Sequence, residues 1–113
     1  MKTLHILNKS PQTPYPASQC ARFYSHQDSI VLVEDATHYT LPIAYQEFMN
    51  QPGFKNTSNP NPKKENTAPV IYALKEDIDA RGLNELAHQD IQIITYDGFV
   101  ELTEHHDKSS SWY

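Results

Sequence analysis

Cysteine and glycine are scarce in this sequence, and long apolar runs are missing. Cys20 is the only cysteine in 113 residues, which excludes an internal disulfide and any Cys-x-x-Cys redox or zinc motif. The three glycines are isolated from one another, so no glycine-rich phosphate-binding motif occurs and we expect no cofactor. The first apolar run is interrupted at Asn8 and Lys9, far short of a secretory or membrane-spanning segment. These absences predict a protein of the reducing cytoplasm that does not enter a membrane.

Positive charge is also in short supply. The formal net charge is -5, and the one adjacent pair of cations is Lys63-Lys64. We therefore expect no direct binding of nucleic acid, which usually requires a cluster of basic residues. The six histidines include no pair at the four-residue spacing of a helical zinc site, and the adjacent His105 and His106 would point to different sides of a helix. We expect no metal site.

Short apolar strands alternate with amphipathic segments along the chain. The predicted strands are Thr3 to Leu7, Ser29 to Val33, Val70 to Leu74 and Ile91 to Thr95. The predicted helices run from about Pro16 to Tyr24, from Pro42 to Met49, from Glu76 to Arg81 and from Gly98 to about His105. Continuous apolar strands need cover on both faces, as in parallel sheets. The sequence therefore predicts one α/β domain over residues 1–113, a three-layer α/β/α sandwich on a small, mainly parallel sheet.

Helix ends and connections carry more detailed predictions. Gly82 is suited to end the third helix in the left-handed conformation, and Asp97 is suited to cap the last helix. Residues 36–41 are predicted to be a connection. From Asn50 to Ala68 the composition shifts to polar residues and proline, which predicts a mobile surface loop. A docking arm for a partner is the functional alternative for so long a segment.

Two side chains could carry chemistry. Cys20 is the only soft nucleophile, and a persulfide relay would require a thiol that can lose its proton and be reached by a donor. The alternative, which the residues alone favour, is that Cys20 packs as a small apolar side chain on the inner face of the first helix. His5 lies inside the first strand. It is either close to a ligand site at the carboxyl edge of the sheet or a hydrogen-bonded structural histidine, the commoner case.

Three polar residues and one tryptophan complete the candidates. Asn8, Lys9 and Ser10 directly follow the first strand, which places them at the edge of a parallel sheet where ligands usually bind. Trp112 follows three serines near the end of the sequence. Its indole either packs against the edge of its own sheet or contacts a second subunit, where buried aromatic residues often dominate binding.

An ordered set of short motifs covers most of the chain. It consists of His5, Asn8-Lys9-Ser10-Pro11, the strand ending at Glu34-Asp35, Tyr72-Ala73-Leu74, Asp77, Ala80-Arg81-Gly82, the segment from Tyr96-Asp97 to Thr103, and Trp112. In order and spacing these motifs resemble the TusB/DsrH family, the small third subunits of sulfur-relay complexes. Residues 50–68 depart from this resemblance, because they are longer and more polar than the family's usual connection.

The resemblance implies a DsrEFH-like fold and a place in a heterohexamer of three related α/β subunits, each present twice. Such complexes relay persulfide sulfur toward 2-thiolation of the tRNA wobble uridine, the more widespread branch, or handle sulfur for dissimilatory oxidation. The principal persulfide cysteine belongs to another subunit, which implies an accessory or non-catalytic role for this chain. Cys20 falls where the sulfur-oxidation branch has a cysteine, so a role as secondary sulfur acceptor stays open. A regulatory binding module that recruits a partner through residues 50–68 is the alternative from a different class.

Overall fold

The computed structural model of the chain describes residues 2–55 and 69–113. Within these ranges, strands and α-helices follow one another as β1 Thr3–Leu7, α1 Tyr15–Phe23, β2 Ser29–Leu32, α2 Pro42–Met49, α3 Pro52–Lys55, β3 Val70–Leu74, α4 Lys75–Ala80, β4 Gln92–Ile94, α5 Tyr96–His105 and β5 Lys108–Trp112. A 3₁₀ helix, Glu34–Thr40, connects β2 to α2. The order is that of repeated strand–helix units, which bury the apolar face of each helix against a shared sheet.

The strands form one parallel sheet in the order β4-β3-β2-β1-β5. From β1 to β4, each strand lies on the same side of the strand before it. Strand β5 then pairs with the opposite edge of β1. The register places His5 beside Ile30 of β2 and beside Ser110 of β5. Because paired residues of neighbouring parallel strands point to the same side, this register fixes which side chains share a face of the sheet.

The main core lies on the face that carries Leu7 and Ile30, both fully buried. Helices α1 to α3 cover this face, and Cys20 of α1 and Phe48 of α2 belong to the same buried cluster. Phe54 of α3 packs edge-on against Phe48, with ring centroids 5.1 Å apart. Aromatic and branched side chains thus fill the space between helices and sheet, and their burial supplies most of the stability of this layer.

Helix α5 lies on the opposite face and gives it thinner cover. Leu4 and Val31 are fully buried there, but no residue of α5 is itself fully buried. Tyr96 and Val100 of this helix are 59% and 39% exposed. The chain is therefore a three-layer α/β/α sandwich on an all-parallel sheet, as the sequence predicts, with one well-packed and one lightly packed outer layer.

Several local predictions are confirmed in the structure. Strands β1 and β3 and helix α2 have the predicted bounds, and Gly82 adopts the left-handed conformation with a φ of 65°. The start of α5 differs from the prediction, because Thr95 rather than Asp97 is the cap: the Thr95 hydroxyl accepts a hydrogen bond from the Gly98 amide at 3.4 Å. Asp97 instead lies in the first turn, where a negative charge is favourable near the positive end of the helix dipole.

Two predicted connections contain short helices in the part of the chain that the structure describes. Residues 36–41 lie largely within the 3₁₀ helix, whose Thr37 and Thr40 hydroxyls bond back to backbone carbonyls three residues earlier. The predicted loop from Asn50 begins with helix α3, because Pro52 suits a first helical position and Phe54 enters the aromatic core. The rest of that predicted loop, residues 56–68, lies outside the described residues.

Strand β5 is the one strand of the described sheet that the sequence pattern did not predict. Its sequence, Lys-Ser-Ser-Ser-Trp, has little intrinsic preference for a strand. It forms because β1 would otherwise present an unpaired row of backbone N–H and C=O groups along its edge. Pairing runs from Thr3 with Lys108 to Leu7 with Trp112.

Candidate functional site

A small cleft opens at the carboxyl edge of the sheet, where β1, β2 and β3 end. It has a volume of about 360 Å³ and is lined by apolar side chains and by the polar residues Asn8, Glu34, Asp77 and Ser111. The side-chain oxygen of Asn8 is buried and has no hydrogen-bond partner among the described residues. Of the residues predicted to lie at this edge, Asn8 is the one that enters this cleft.

Acidic residues after β2 are fixed by helix α4. Glu34 has a φ of 51°, which is uncommon for a residue with a side chain. Its amide donates a hydrogen bond of 2.7 Å to the carboxylate of Asp77. Arg81 in turn lies 3.0 Å from Asp35 and 3.7 Å from Asp77. The separate motifs Glu34-Asp35, Asp77 and Arg81 therefore form one contiguous cluster that holds the end of β2 against α4.

Ser10 and Lys9 lie apart from this cleft. Lys9 is exposed, and the Ser10 hydroxyl accepts a hydrogen bond of 3.3 Å from the Gln12 amide within its own loop. Ser10 lines a larger, mainly apolar cleft of about 620 Å³ that also contains His38 and Ile43. The predicted Asn8-Lys9-Ser10 group thus divides between two clefts and the solvent.

His5 lies in a buried chain of hydrogen bonds that also includes Trp112. The imidazole is 2% exposed. Its Nε2 lies 2.8 Å from the carboxylate of Asp28, and its Nδ1 accepts a hydrogen bond of 3.0 Å from the indole N–H of Trp112. Since an indole nitrogen can only donate, the proton of the neutral imidazole lies on Nε2 and is donated to Asp28. This geometry is that of a hydrogen-bonded structural histidine.

Asp28, which sequence reasoning missed, organises this chain. It is 4% exposed and accepts hydrogen bonds from the amides of Thr3 and Ser25 at 3.0 and 2.9 Å as well as from His5. The hydroxyl of Tyr24 donates to its backbone carbonyl at 2.9 Å. The available signal was its place in a polar turn directly before a buried strand, where aspartate side chains often bond to nearby backbone amides.

Trp112 packs against its own sheet edge, one of the two predicted alternatives. Its ring plane is nearly parallel to that of His5, at an interplanar angle of 15°, and the ring stacks on Phe23 with centroids 5.6 Å apart. Phe23 is 57% exposed and Trp112 is half-buried. A contact between Trp112 and a second subunit remains a prediction.

Cys20 lies in the core beneath α1 and has no exposed surface. Burial raises the pKa of its thiol far above the ordinary value, and the negative charge of Asp28 raises it further. Both effects disfavour the thiolate that sulfur transfer requires. The hypothesis that Cys20 carries a persulfide remains a prediction, and in this conformation a donor could reach the thiol only if α1 moved.

Two other features of the described residues bear on function. Across residues 2–55 and 69–113, no three or more histidine, cysteine, aspartate or glutamate side chains are placed to bind a metal ion together. In the same part of the chain, every helix is too short or too polar to cross a bilayer.

Comparisons with known proteins agree on one family. The family described as DsrH like protein matches residues 9–109. Protein TusB of Escherichia coli strain K12 is 32% identical over 111 residues, covering 96% of this chain and 99% of that protein. Protein TusB of Photorhabdus laumondii is 48% identical over 43 residues, a segment that spans 38% of this chain and 45% of the relative.

A solved structure resembles the fold. The solution structure of protein Tm0979 from Thermotoga maritima covers 91% of this chain and 92% of its own, with a TM-score of 0.58 and 23% sequence identity. At that identity the likeness shows the architecture alone. The family match over most of the sequence, together with the full-length similarity to a TusB protein, shows that this chain belongs to the TusB/DsrH family.

Proposed function

We propose that this chain is an accessory subunit of a cytoplasmic sulfur-relay complex that passes persulfide sulfur toward 2-thiolation of the tRNA wobble uridine. Family membership supports this proposal, because the chain is similar over nearly its full length to a TusB protein. The observation that supports an accessory role is the placement of Cys20, the only thiol of the chain, inside the core. Sulfur would then travel on the cysteines of partner subunits.

The proposed partners are two homologous α/β subunits in a heterohexamer. Large apolar side chains on several elements support such contacts, because each would lose contact with water at an interface. Those most exposed are Tyr15, Phe23, Ile43, Leu86, Tyr96 and Tyr113. The net charge of -5 supports a further part of the proposal, that another subunit contacts the tRNA.

The first experiment tests assembly and the reaction together. The chain is co-expressed with two homologous subunits from its own genome, and the complex is examined by size exclusion and native mass spectrometry. Its gene is then deleted and the thiolated wobble nucleoside in tRNA is quantified. We expect a complex with two copies of each subunit and loss of the thiolated nucleoside. A chain that stays monomeric beside these subunits, in cells that keep normal thiolation, would contradict the proposal.

A second experiment distinguishes this role from that of a sulfur acceptor, as in the sulfur-oxidation branch. The position of Cys20 motivates this alternative. The purified chain is incubated with a persulfide donor and its intact mass is measured, with Cys20→Ser as the variant that cannot carry sulfur and Cys20→Ala as the control that preserves apolar packing. Addition of one sulfur to the unmodified chain, absent in both variants, would favour the acceptor role. Unchanged thiolation in cells that carry Cys20→Ala would favour the accessory role.

A further inference from the structure

Strand β5 forms one edge of the described sheet and is attached to β1 along its whole length. All of its residues are in register with β1, and Trp112 adds a hydrogen bond to His5 and a ring contact with Phe23. The strand order β4-β3-β2-β1-β5 leaves the far side of β5 without a neighbouring strand among the described residues. A fixed strand edge of this kind presents backbone groups with which another strand can pair.

The hydrogen bonds of β1 determine which backbone groups of β5 face outward. The Leu7 carbonyl accepts a hydrogen bond on the β2 side of β1, whereas the Lys2 carbonyl accepts one of 3.4 Å from the Lys108 amide on the β5 side. In a parallel ladder, the backbone groups of successive residues point to opposite sides of the strand. Every second residue of β5, beginning with Lys108, therefore bonds to β1. The N–H and C=O groups of Ser109 and Ser111 point away from it.

This edge is better suited to pairing than the opposite edge of the sheet. Strand β4 has three residues, and a very short edge strand resists pairing. Strand β5 has five residues, none of them acidic or proline, and its continuous register contains no bulge. The small side chains of its three serines allow close approach of a second strand. Its one charged side chain, Lys108, lies at the start of the strand.

The sequence of β5 is complementary to itself when two copies run antiparallel. In the register centred on Ser110, Ser109 of one copy lies opposite Ser111 of the other, and such a pair exchanges both of its N–H···O bonds. Lys108 of each copy then lies opposite Trp112 of the other, where an ammonium group is attracted to the face of an aromatic ring. A register with Lys108 opposite Lys108 would instead bring like charges together. The outward backbone groups and the side chains thus favour the same arrangement.

We infer that β5 is a homodimerisation edge: two copies of this chain pair their β5 strands antiparallel about a two-fold axis at Ser110, which joins the two sheets. A two-fold contact uses the same surface on both copies, and the self-complementary strand supplies such a surface. The large apolar side chains beside this edge are Trp112 and Phe23, so the pairing buries a small area and we expect a dimer in about the micromolar to millimolar range. The inference goes beyond the proposed function, because it concerns the chain by itself.

Sedimentation velocity of the purified chain tests the dimer. It is recorded from about 10 μM to about 1 mM protein, in about 0.15 M salt to screen the net charge of -5 on each copy. We expect the wild type to shift from monomer to dimer as its concentration rises. Ser111→Pro removes an outward N–H and spares the ladder with β1, so dimerisation should weaken at least about tenfold. Ser111→Ala keeps this N–H and is the matched control, which should dimerise like the wild type.

Disulfide cross-linking tests the register and does not require the proline variant to fold. In a Cys20→Ala background, Ser110→Cys or Ser109→Cys supplies the only thiol of the chain. Across the two-fold axis, the Cα atoms at position 110 would lie about 4.5 Å apart, within the range of a disulfide, whereas those at position 109 would be about 7–8 Å apart. Position 109 is the more exposed of the two. We nevertheless expect rapid formation of a disulfide-linked dimer in Ser110→Cys and slow formation in Ser109→Cys.

Three results would overturn the inference. A wild-type chain that is monomeric at every concentration would leave this edge to a strand of another protein. Unchanged dimerisation of Ser111→Pro, with a far-UV circular dichroism spectrum like that of the wild type, would place the contact elsewhere. Cross-linking at position 110 that is no faster than at position 109 would exclude this register. None of these results bears on the co-expression test of the proposed function, which measures assembly with other subunits.

Discussion

The most informative perturbation of this fold is Asp28→Asn, because it changes one buried atom and leaves the shape of the side chain almost unaltered. One carboxylate oxygen of Asp28 accepts from His5 and from the Ser25 amide, and the other accepts from the Thr3 amide. An asparagine can present only one oxygen. If that oxygen takes the place facing His5 and Ser25, its NH₂ group points at the N–H of Thr3.

The cost follows from these three bonds. Hydrogen bonds to a charged acceptor contribute about 1.5–3 kcal/mol and neutral ones about 0.5–1.5 kcal/mol, so the two retained bonds each weaken by about 1 kcal/mol. The unpaired Thr3 amide costs about 1–3 kcal/mol more. Burying an uncharged asparagine costs less desolvation free energy than burying the aspartate charge, and this difference offsets part of the loss. We therefore expect Asp28→Asn to lower the free energy of unfolding by about 2–4 kcal/mol, and the melting temperature by about 8–16 °C.

Urea denaturation followed by Trp112 fluorescence and by far-UV circular dichroism measures this cost. Asp79→Asn is the matched control, because Asp79 forms an exposed ion pair with Lys75 at 2.6 Å and such pairs contribute little. We expect its unfolding midpoint to stay close to that of the wild type. If Asp28→Asn cost less than about 1 kcal/mol, the hydrogen-bonded chain would not stabilise the fold as argued.

Three further predictions concern the core and its neighbours. A Cβ on Gly53 would clash with the backbone of α1, whereas a Cβ on Gly82 would lie in open space. Gly82 has a left-handed φ of 65°, however, which is unfavourable for alanine. Urea denaturation should show that Gly53→Ala lowers the free energy of unfolding by about 3 kcal/mol and Gly82→Ala by about 1 kcal/mol. Burial raises the pKa of Tyr24 and of Tyr39 to about 12, above the value of about 10 in an unfolded chain. The unfolded chain therefore loses these protons first, so the free energy of unfolding should fall as the pH rises from about 10 to about 12. Ultraviolet titration should show phenols that ionise late, and Tyr24→Phe and Tyr39→Phe should each reduce their number. If all phenols ionised near pH 10, this prediction would be refuted. Alkylation of Cys20 by iodoacetamide should be more than about 100-fold slower in the native protein than in urea, because the thiol reacts only after local opening; equal rates would show that it is accessible.

Much of the architecture could be predicted because it depends on local patterns. The β-branched run from Ser29 is a buried parallel strand, and the proline at position 42 begins a helix as its backbone preference predicts. Gly82 adopts the left-handed conformation that ends α4. The candidate edge of the sheet was also predictable, since it follows from where β1 ends, but only Asn8 among the three polar residues there enters the edge cleft.

The sequence by itself thus determined the alternating strands and helices, the parallel sheet and the single thiol, because apolar periodicity and residue type are local properties. Only the tertiary structure decided that serine-rich β5 forms a strand, that Asp28 is buried, and that Cys20 is inaccessible. The bonds that join His5 to Asp28 and to Trp112 span 23 and 107 positions of sequence. No local pattern specifies such pairs, since they form only when the folded sheet brings the separate segments together and excludes water from between them.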